Sequence, residues 1–176
     1  IEMAKAALFN QDLSEVWMMP AKIPPNKLGM EITEDFHRYN MVKLALEDEK
    51  NIFPSDFELL REGISYTSET LIELRKYYPD TDFYLIIGGE DIFDNAVILY
   101  ISRVGDASDK CKQHIQNVLK NEFENVRMQE IPFEITSVSS TEIRKLIAEG
   151  IRDSRQLNIN EKVMSYILKN GLYKEN

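Results

Sequence analysis

A single cysteine, Cys111, is all that this chain of 176 residues contains. No internal disulfide can staple it, and that composition fits a reducing, cytoplasmic compartment. No apolar run approaches the roughly 18–20 residues of a membrane-spanning helix, and no basic stretch followed by an apolar core marks a leader peptide. Cations are in the minority, with 21 Lys and Arg against 30 Asp and Glu, a net charge of −9. A broad basic surface for nucleic acid or anionic membrane is therefore not expected, because neutralising phosphates takes clustered Lys and Arg. Only two histidines occur, His37 and His114. Neither has a second His, Cys or paired acid at ligand spacing, so both read as surface residues and no zinc site is expected. There is no Walker A loop and no nucleophile elbow. Seven glycines and six prolines exclude a low-complexity or collagen-like chain.

What is present reads as one soluble α/β domain over residues 1–176, with 43% hydrophobic and 29% charged residues. Ile1 to Leu8 is already in helical rhythm, with no initiator Met and no cap in front, so the sequence is expected to begin partway through a domain. A helix over about 1–10 precedes the apolar run Val16-Trp17-Met18-Met19, which stops at Pro20. Thr33 is positioned to cap a helix from Glu34 to about Glu49, with Phe36, Met41, Leu44 and Ala45 inward. Ile52 to Leu60 reads as a strand, and Thr67 or Ser68 as the cap of a helix from Glu69 to Tyr78. Phe83 to Ile87 and Asn95 to Ser102 look like strands buried on both faces. Asp109 to Glu122 reads as amphipathic helix, Val126 to Ile131 as a strand, and 141–149 and 161–170 as the last helices.

Alternating strands and helices predict a parallel sheet with helices on both faces. One junction resists this. Only Gly88 to Asn95 separate two of the strand runs, fewer than the dozen or so residues of a parallel crossover. Either a hairpin joins them antiparallel, or residues are missing near Asp94-Asn95. The buried character of both runs favours missing residues.

Four segments carry polar chemistry. Ser139-Ser140-Thr141 with Arg144 gathers hydroxyls and a guanidinium at a helix N-terminus, where unpaired N–H groups and the dipole favour an anion. An ordinary Ser/Thr cap with a surface Arg fits the same spacing. Gly88-Gly89-Glu90-Asp91 follows a buried strand, where glycine allows close backbone approach to a ligand, though a plain strand-ending turn fits equally. Pro20 to Lys27 is a proline-stiffened loop presenting Lys22 and Lys27, and read in isolation it is a solvated loop. Gly63-Ile64-Ser65-Tyr66-Thr67 leads into a helix, as a cap or as a small-molecule contact.

In this order, over nearly the whole chain, the segments resemble the bacterial nicotinate mononucleotide adenylyltransferase family. Val16 to Lys27 resembles its strand and P-P-H-K loop, with Asn26 where His is usual. Ile32 to Leu46, including His37-Arg38, resembles its next helix. Gly63 to Leu74 is similar to its G-x-S-Y-T-x-x-T-L-x-x-L stretch, and Tyr84 to Glu90 to the strand entering G-A-D. Ser102-Arg103-Val104-Gly105 looks like its R-P-G turn without the proline. Ser139 to Arg144 matches S-S-T-x-I-R, a signature shared by related nucleotidyltransferases, and Gly171-Leu172-Tyr173 matches the usual C-terminus.

The resemblance implies a Rossmann-like nucleotidyltransferase fold and adenylyl transfer from ATP to nicotinate mononucleotide. It assigns Ser139, Ser140, Thr141 and Arg144 to ATP phosphates, and Gly88 and Glu90 to the adenosine side. Lys27 and Arg103 fall at the phosphate end, and Thr67, with Tyr66 and Ser65 behind it, lines the nicotinate pocket. Mg²⁺ is implied as the ion bridging ATP phosphates. The implied partners are small molecules, with neither nucleic acid nor membrane, and self-association into a homo-oligomer stays open. A related adenylyltransferase for nicotinamide mononucleotide or phosphopantetheine, or an inactive nucleotide-binding protein, are the alternatives. The family also opens with a strand and an H-x-G-H motif, and carries a Trp-bearing crossover between the positions of Asp94 and Asn95. Neither occurs in this sequence, so both segments are expected to belong to the molecule beyond the residues given.

Overall fold

The computed structural model describes residues 1–87, 97–101, 128–131 and 139–174. Gly88, Glu90, Arg103, Cys111, His114 and the helix expected over Asp109 to Glu122 lie outside these. The described elements are α1 (Glu2–Gln11), β1 (Val16–Met18), α2 (Asp35–Leu46), β2 (Ile52–Pro54), α3 (Thr67–Tyr77), β3 (Tyr84–Ile87), β4 (Val97–Ile101) and β5 (Met128–Ile131). Two helices follow, α4 (Ser140–Ala148) and α5 (Glu161–Lys169).

All strand pairing among the described residues is parallel, as the alternation of strands and helices predicts. β1 pairs with β2 in the register Val16↔Ile52 and Met18↔Pro54. β3 pairs with β4, and β4 with β5. The parallel register of β3 on β4 excludes the hairpin as the join between those two runs. The described strands fall into two parallel sets, β1-β2 and β3-β4-β5.

Side-chain packing bridges the sets. Ala4 and Ala7 on α1 are small enough to let the helix lie close, and they are 5% and 0% exposed. Ala4 packs with Val16, Leu46 and Ile52, and Ala7 with Ile131. Ile86 of β3 touches both clusters. A third cluster forms the C-terminal end, where Ile147, Leu157, Met164 and Ile167 are buried and Met41 of α2 packs against them. Across that contact, Lys162 pairs with Glu47 at 2.8 Å and Asp48 at 2.7 Å. The hydrogen bonds that Lys162 donates to Asp48 and Glu47 push its ammonium up to about 12.

Several boundaries differ from the sequence expectation. β2 ends at Pro54 rather than Leu60: proline removes a ladder donor, and the Asp56 carbonyl then takes the N–H groups of Leu59 and Leu60 in a turn. Thr33 does not cap α2. The N-cap is Glu34, without a side-chain bond, and the Thr33 carbonyl is bonded to Arg38 instead. Phe36, expected inward, is 67% exposed, and Leu46 takes the buried position. α3 begins at Thr67 after Tyr66, with neither Thr67 nor Ser68 as its cap. Ser139 does cap α4, accepting from the Glu142 N–H at 3.1 Å.

Leu157→Ala should cost about 2–5 kcal/mol, the usual range for emptying a packed site, read as a lower denaturant midpoint at unchanged slope. Lys162→Ala should leave that midpoint near the parent's, since exposed pairs contribute little. Its pair's contribution is present below pH 10.5 and fades as pH rises through about 12.

Candidate functional site

Because β1 and β2 run parallel as neighbours, their carboxyl ends share one edge, and the loops leaving them must meet there. Open α/β sheets bind ligands at this edge. The first loop runs from Met19 to Glu34 and contains the tight turn Pro25–Lys27. In it the Lys27 N–H donates to the Pro24 carbonyl at 3.0 Å and the Met30 N–H to the Lys27 carbonyl at 3.1 Å. The second loop, Ser55 to Tyr66, reverses at Gly63, whose φ of +88° is a left-handed conformation that glycine adopts without strain.

Ser65 joins the two loops. Its hydroxyl accepts from the Lys22 N–H at 2.8 Å, and its own N–H donates to the Ile23 carbonyl at 2.9 Å. Ser65 is 8% exposed, so it supports the site from behind rather than facing solvent. The second loop is fixed in turn to α3. Thr70 Oγ1 donates to buried Glu58 at 2.7 Å and accepts from Arg61 at 2.9 Å, while Arg61 also pairs with Glu69 and Glu73. Tyr66 is 45% exposed at the mouth of this segment, and Thr67 follows, half-buried, as the first residue of α3.

A cleft of about 470 Å³ opens against the first loop, lined by Lys22, Lys27 and Arg38 together with Glu34, Asp35, Thr33 and the apolar Ile23, Met30 and Ile32. The cations are not equivalent. Lys22 Nζ lies 2.6 Å from Asp35, and Arg38 bonds the same carboxylate. Lys27 makes no ion pair among the described residues, which leaves its charge available to an anion. Burial disfavours the charged Asp35 carboxylate, but the bonds from Lys22 and Arg38 outweigh it and hold the group below its ordinary 3.8. The stabilisation is therefore complete above that value and lost as pH falls through the lowered one.

The second candidate anion site is the N-terminus of α4. With the Ser139 oxygen used as cap, the exposed Ser140 and Thr141 remain at the end of the helix. Arg144 lies half-buried one turn in, its guanidinium 5.6 Å from the centre of the Tyr173 ring. None of these four residues lines the cleft. Thus Lys27 lines the cleft and Ser65 is bonded to the cleft loop at Lys22 and Ile23, while Tyr66 and Thr67 follow Ser65 outside the cleft lining and Ser139 to Arg144 form a separate feature.

Three residues carry more than their sequence context suggested. Arg38 and Asp35 organise the cleft; the available signal was an acid and an Arg three apart in a first helical turn directly after a loop. His37, expected on the surface, is half-buried, with Nδ1 2.9 Å from Tyr166 Oη. Asn40 also donates to that oxygen at 3.2 Å. The reason is the packing of α5 across α2, which brings Tyr166 over the histidine ring.

Ser65→Ala would leave the Lys22 N–H without its partner, at about 1–3 kcal/mol. Chemical denaturation should show that loss, and amide exchange should quicken at residues 22–23.

The chain matches the family model described as cytidylyltransferase-like over residues 1–146. It is similar to a protein named probable nicotinate-nucleotide adenylyltransferase from Lachnoclostridium phytofermentans, 34% identical over 97% of this chain and 90% of that one. Proteins of the same name from Clostridium tetani and Bacillus cereus are 34% and 33% identical. They cover 99% and 92% of this chain, and 91% and 84% of their own lengths. The first alignment runs over 183 positions, more than the 176 residues here, so the relative carries residues without a counterpart in this sequence. The chain belongs to the cytidylyltransferase-like family and, within it, groups with the nicotinate-nucleotide adenylyltransferases.

Proposed function

We propose that this protein transfers the adenylyl group of ATP to nicotinate mononucleotide, forming nicotinate adenine dinucleotide and pyrophosphate in a cytoplasmic NAD biosynthetic step. One observation carries the reading to these residues: Ser65 binds the Lys22–Lys27 loop to the Ser65-Tyr66-Thr67 segment, so a cation without an ion pair among the described residues and an aromatic and hydroxyl segment lie on the two loops leaving one edge of the sheet. A mononucleotide offers an aromatic ring at one end and a phosphate at the other, and such an edge suits both.

In the reaction, a phosphate oxygen of the mononucleotide attacks the α-phosphorus of ATP, the bond to the β-phosphate oxygen breaks, and pyrophosphate leaves. Positioning and charge stabilisation supply most of the catalysis in such a transfer. Lys27 would neutralise phosphate charge in the cleft, with Arg103 as a further cation. The α4 N-terminus, with Ser140, Thr141 and Arg144 behind the Ser139 cap, would hold the ATP phosphates, and Gly88 and Glu90 would meet the adenosine. Thr67 and Tyr66 would line the ring pocket. No three His, Cys, Asp or Glu side chains group as a metal cage among the described residues. Mg²⁺ would accompany ATP and add positive charge at its phosphates.

The strand and H-x-G-H motif preceding Ile1, and added residues between β3 and β4, belong to the same proposal. β1 and β3 each have one edge without a strand partner among the described residues, and Ile86 packs against the cluster that holds Ala4, Val16, Leu46 and Ile52. A further parallel strand would satisfy both edges.

The purified protein with ATP and Mg²⁺ should release pyrophosphate on adding nicotinate mononucleotide, and more slowly with nicotinamide mononucleotide. The reverse preference would move it to the amide, and ATP binding without turnover would make it a nucleotide-binding protein. Lys27→Ala should raise KM by about 10–100-fold, the loss of one charged hydrogen bond.

A further inference from the structure

Arg38 lines the cleft, yet little of its guanidinium is left for a ligand. Nε donates to the Thr33 carbonyl at 2.9 Å and Nη2 to the Lys22 carbonyl at 3.1 Å. Nη1 donates to the Ala21 carbonyl, and Nη2 also bonds Asp35. Of the five N–H groups of an arginine, these four contacts leave one, on Nη1. The side chain is 16% exposed.

The identity of the three carbonyls is what matters. Ala21 and Lys22 lie where the first loop leaves β1, and Thr33 lies where it returns to α2. One planar group therefore ties both ends of the loop across its neck. The loop between them has its own short turn at Pro25–Lys27, so closing the neck sets where that turn, and Lys27 on it, stands over the cleft. We propose that Arg38 is a positioning residue that closes the neck of the 21–33 loop and thereby places Lys27 over the cleft. Asp35 completes the clasp by balancing the guanidinium and holding Lys22 at 2.6 Å. Lysine cannot substitute fully, because an ammonium radiates its donors from a single atom and cannot reach both ends of the neck.

The kinetic part of the test rests on the adenylyl-transfer reading; the cleavage part does not. Arg38→Ala and Arg38→Lys are compared with the parent by limited trypsin digestion under native conditions, cleavage after Lys22 and Lys27 being mapped by mass spectrometry, and by KM and kcat for ATP and nicotinate mononucleotide. Opening the neck should speed cleavage at Lys27 by about tenfold or more in the alanine variant, with the lysine variant in between. KM for at least one substrate should rise about tenfold while kcat changes about threefold or less. Added methylguanidinium should restore part of the KM, which a merely collapsed structure would not permit. Cleavage at the parent's rate in both variants overturns the proposal. So does a loss confined to kcat, which would make Arg38 a group acting on the reacting atoms. Should the alanine variant not fold, the lysine variant decides by the same criteria. If the parent turns over neither mononucleotide, the functional reading fails alone and the cleavage rates still settle the clasp.

Discussion

Two hydrogen bonds through Ser65 hold the rest of the site in place. Parallel pairing of β1 and β2 brings the two loops to the same edge, but only the contacts from Ser65 to Lys22 and Ile23 make them one surface. Each such bond contributes about 1 kcal/mol net, and their value lies in direction. A buried hydroxyl and a buried amide have one low-energy arrangement, and any slip of one loop against the other leaves a polar group without a partner. Gly63 provides the reversal that aims the segment, and the Glu58–Thr70–Arg61 contacts keep it from swinging away from α3.

Charge is arranged locally against the sign of the whole. A chain at −9 repels phosphates at a distance, so a cation in the cleft has to act at short range. Lys22 and Arg38 share Asp35 and are largely spent on structure. Lys27 has no ion pair among the described residues, and it is the cation proposed to meet an anion in this cleft. The α4 end offers a complementary device in its orphan N–H groups and Ser/Thr hydroxyls, needing no net charge at all.

The alternation of elements was legible because continuous apolar runs such as Tyr84 to Ile87 and the amphipathic α5 have clear patterns, although Tyr84 is exposed and Leu85 and Ile86 are half-buried rather than sealed on both faces. The candidate site segments stood out through glycine, proline and hydroxyl residues, whose local geometry depends little on context. The parallel register of β3 on β4 was half-legible: composition favoured buried strands, while the short connection argued against a crossover. What escaped was tertiary. Arg38 on α2 looks like any surface cation until the loop folds back on it, and His37 gains its partner only when α5 crosses α2. β2 was read six residues too long because Phe57 to Leu60 keeps an apolar pattern after Pro54 has ended the ladder.

Ligand footprinting by hydrogen exchange tests the central claim, that two loops joined by Ser65 receive the mononucleotide while the α4 end receives ATP. The expected result is slowed exchange at residues 20–33 and 63–70 with nicotinate mononucleotide, and at 139–145 with ATP and Mg²⁺. Slowed exchange confined to other surfaces, with the two loops exchanging as in the free protein, would contradict it.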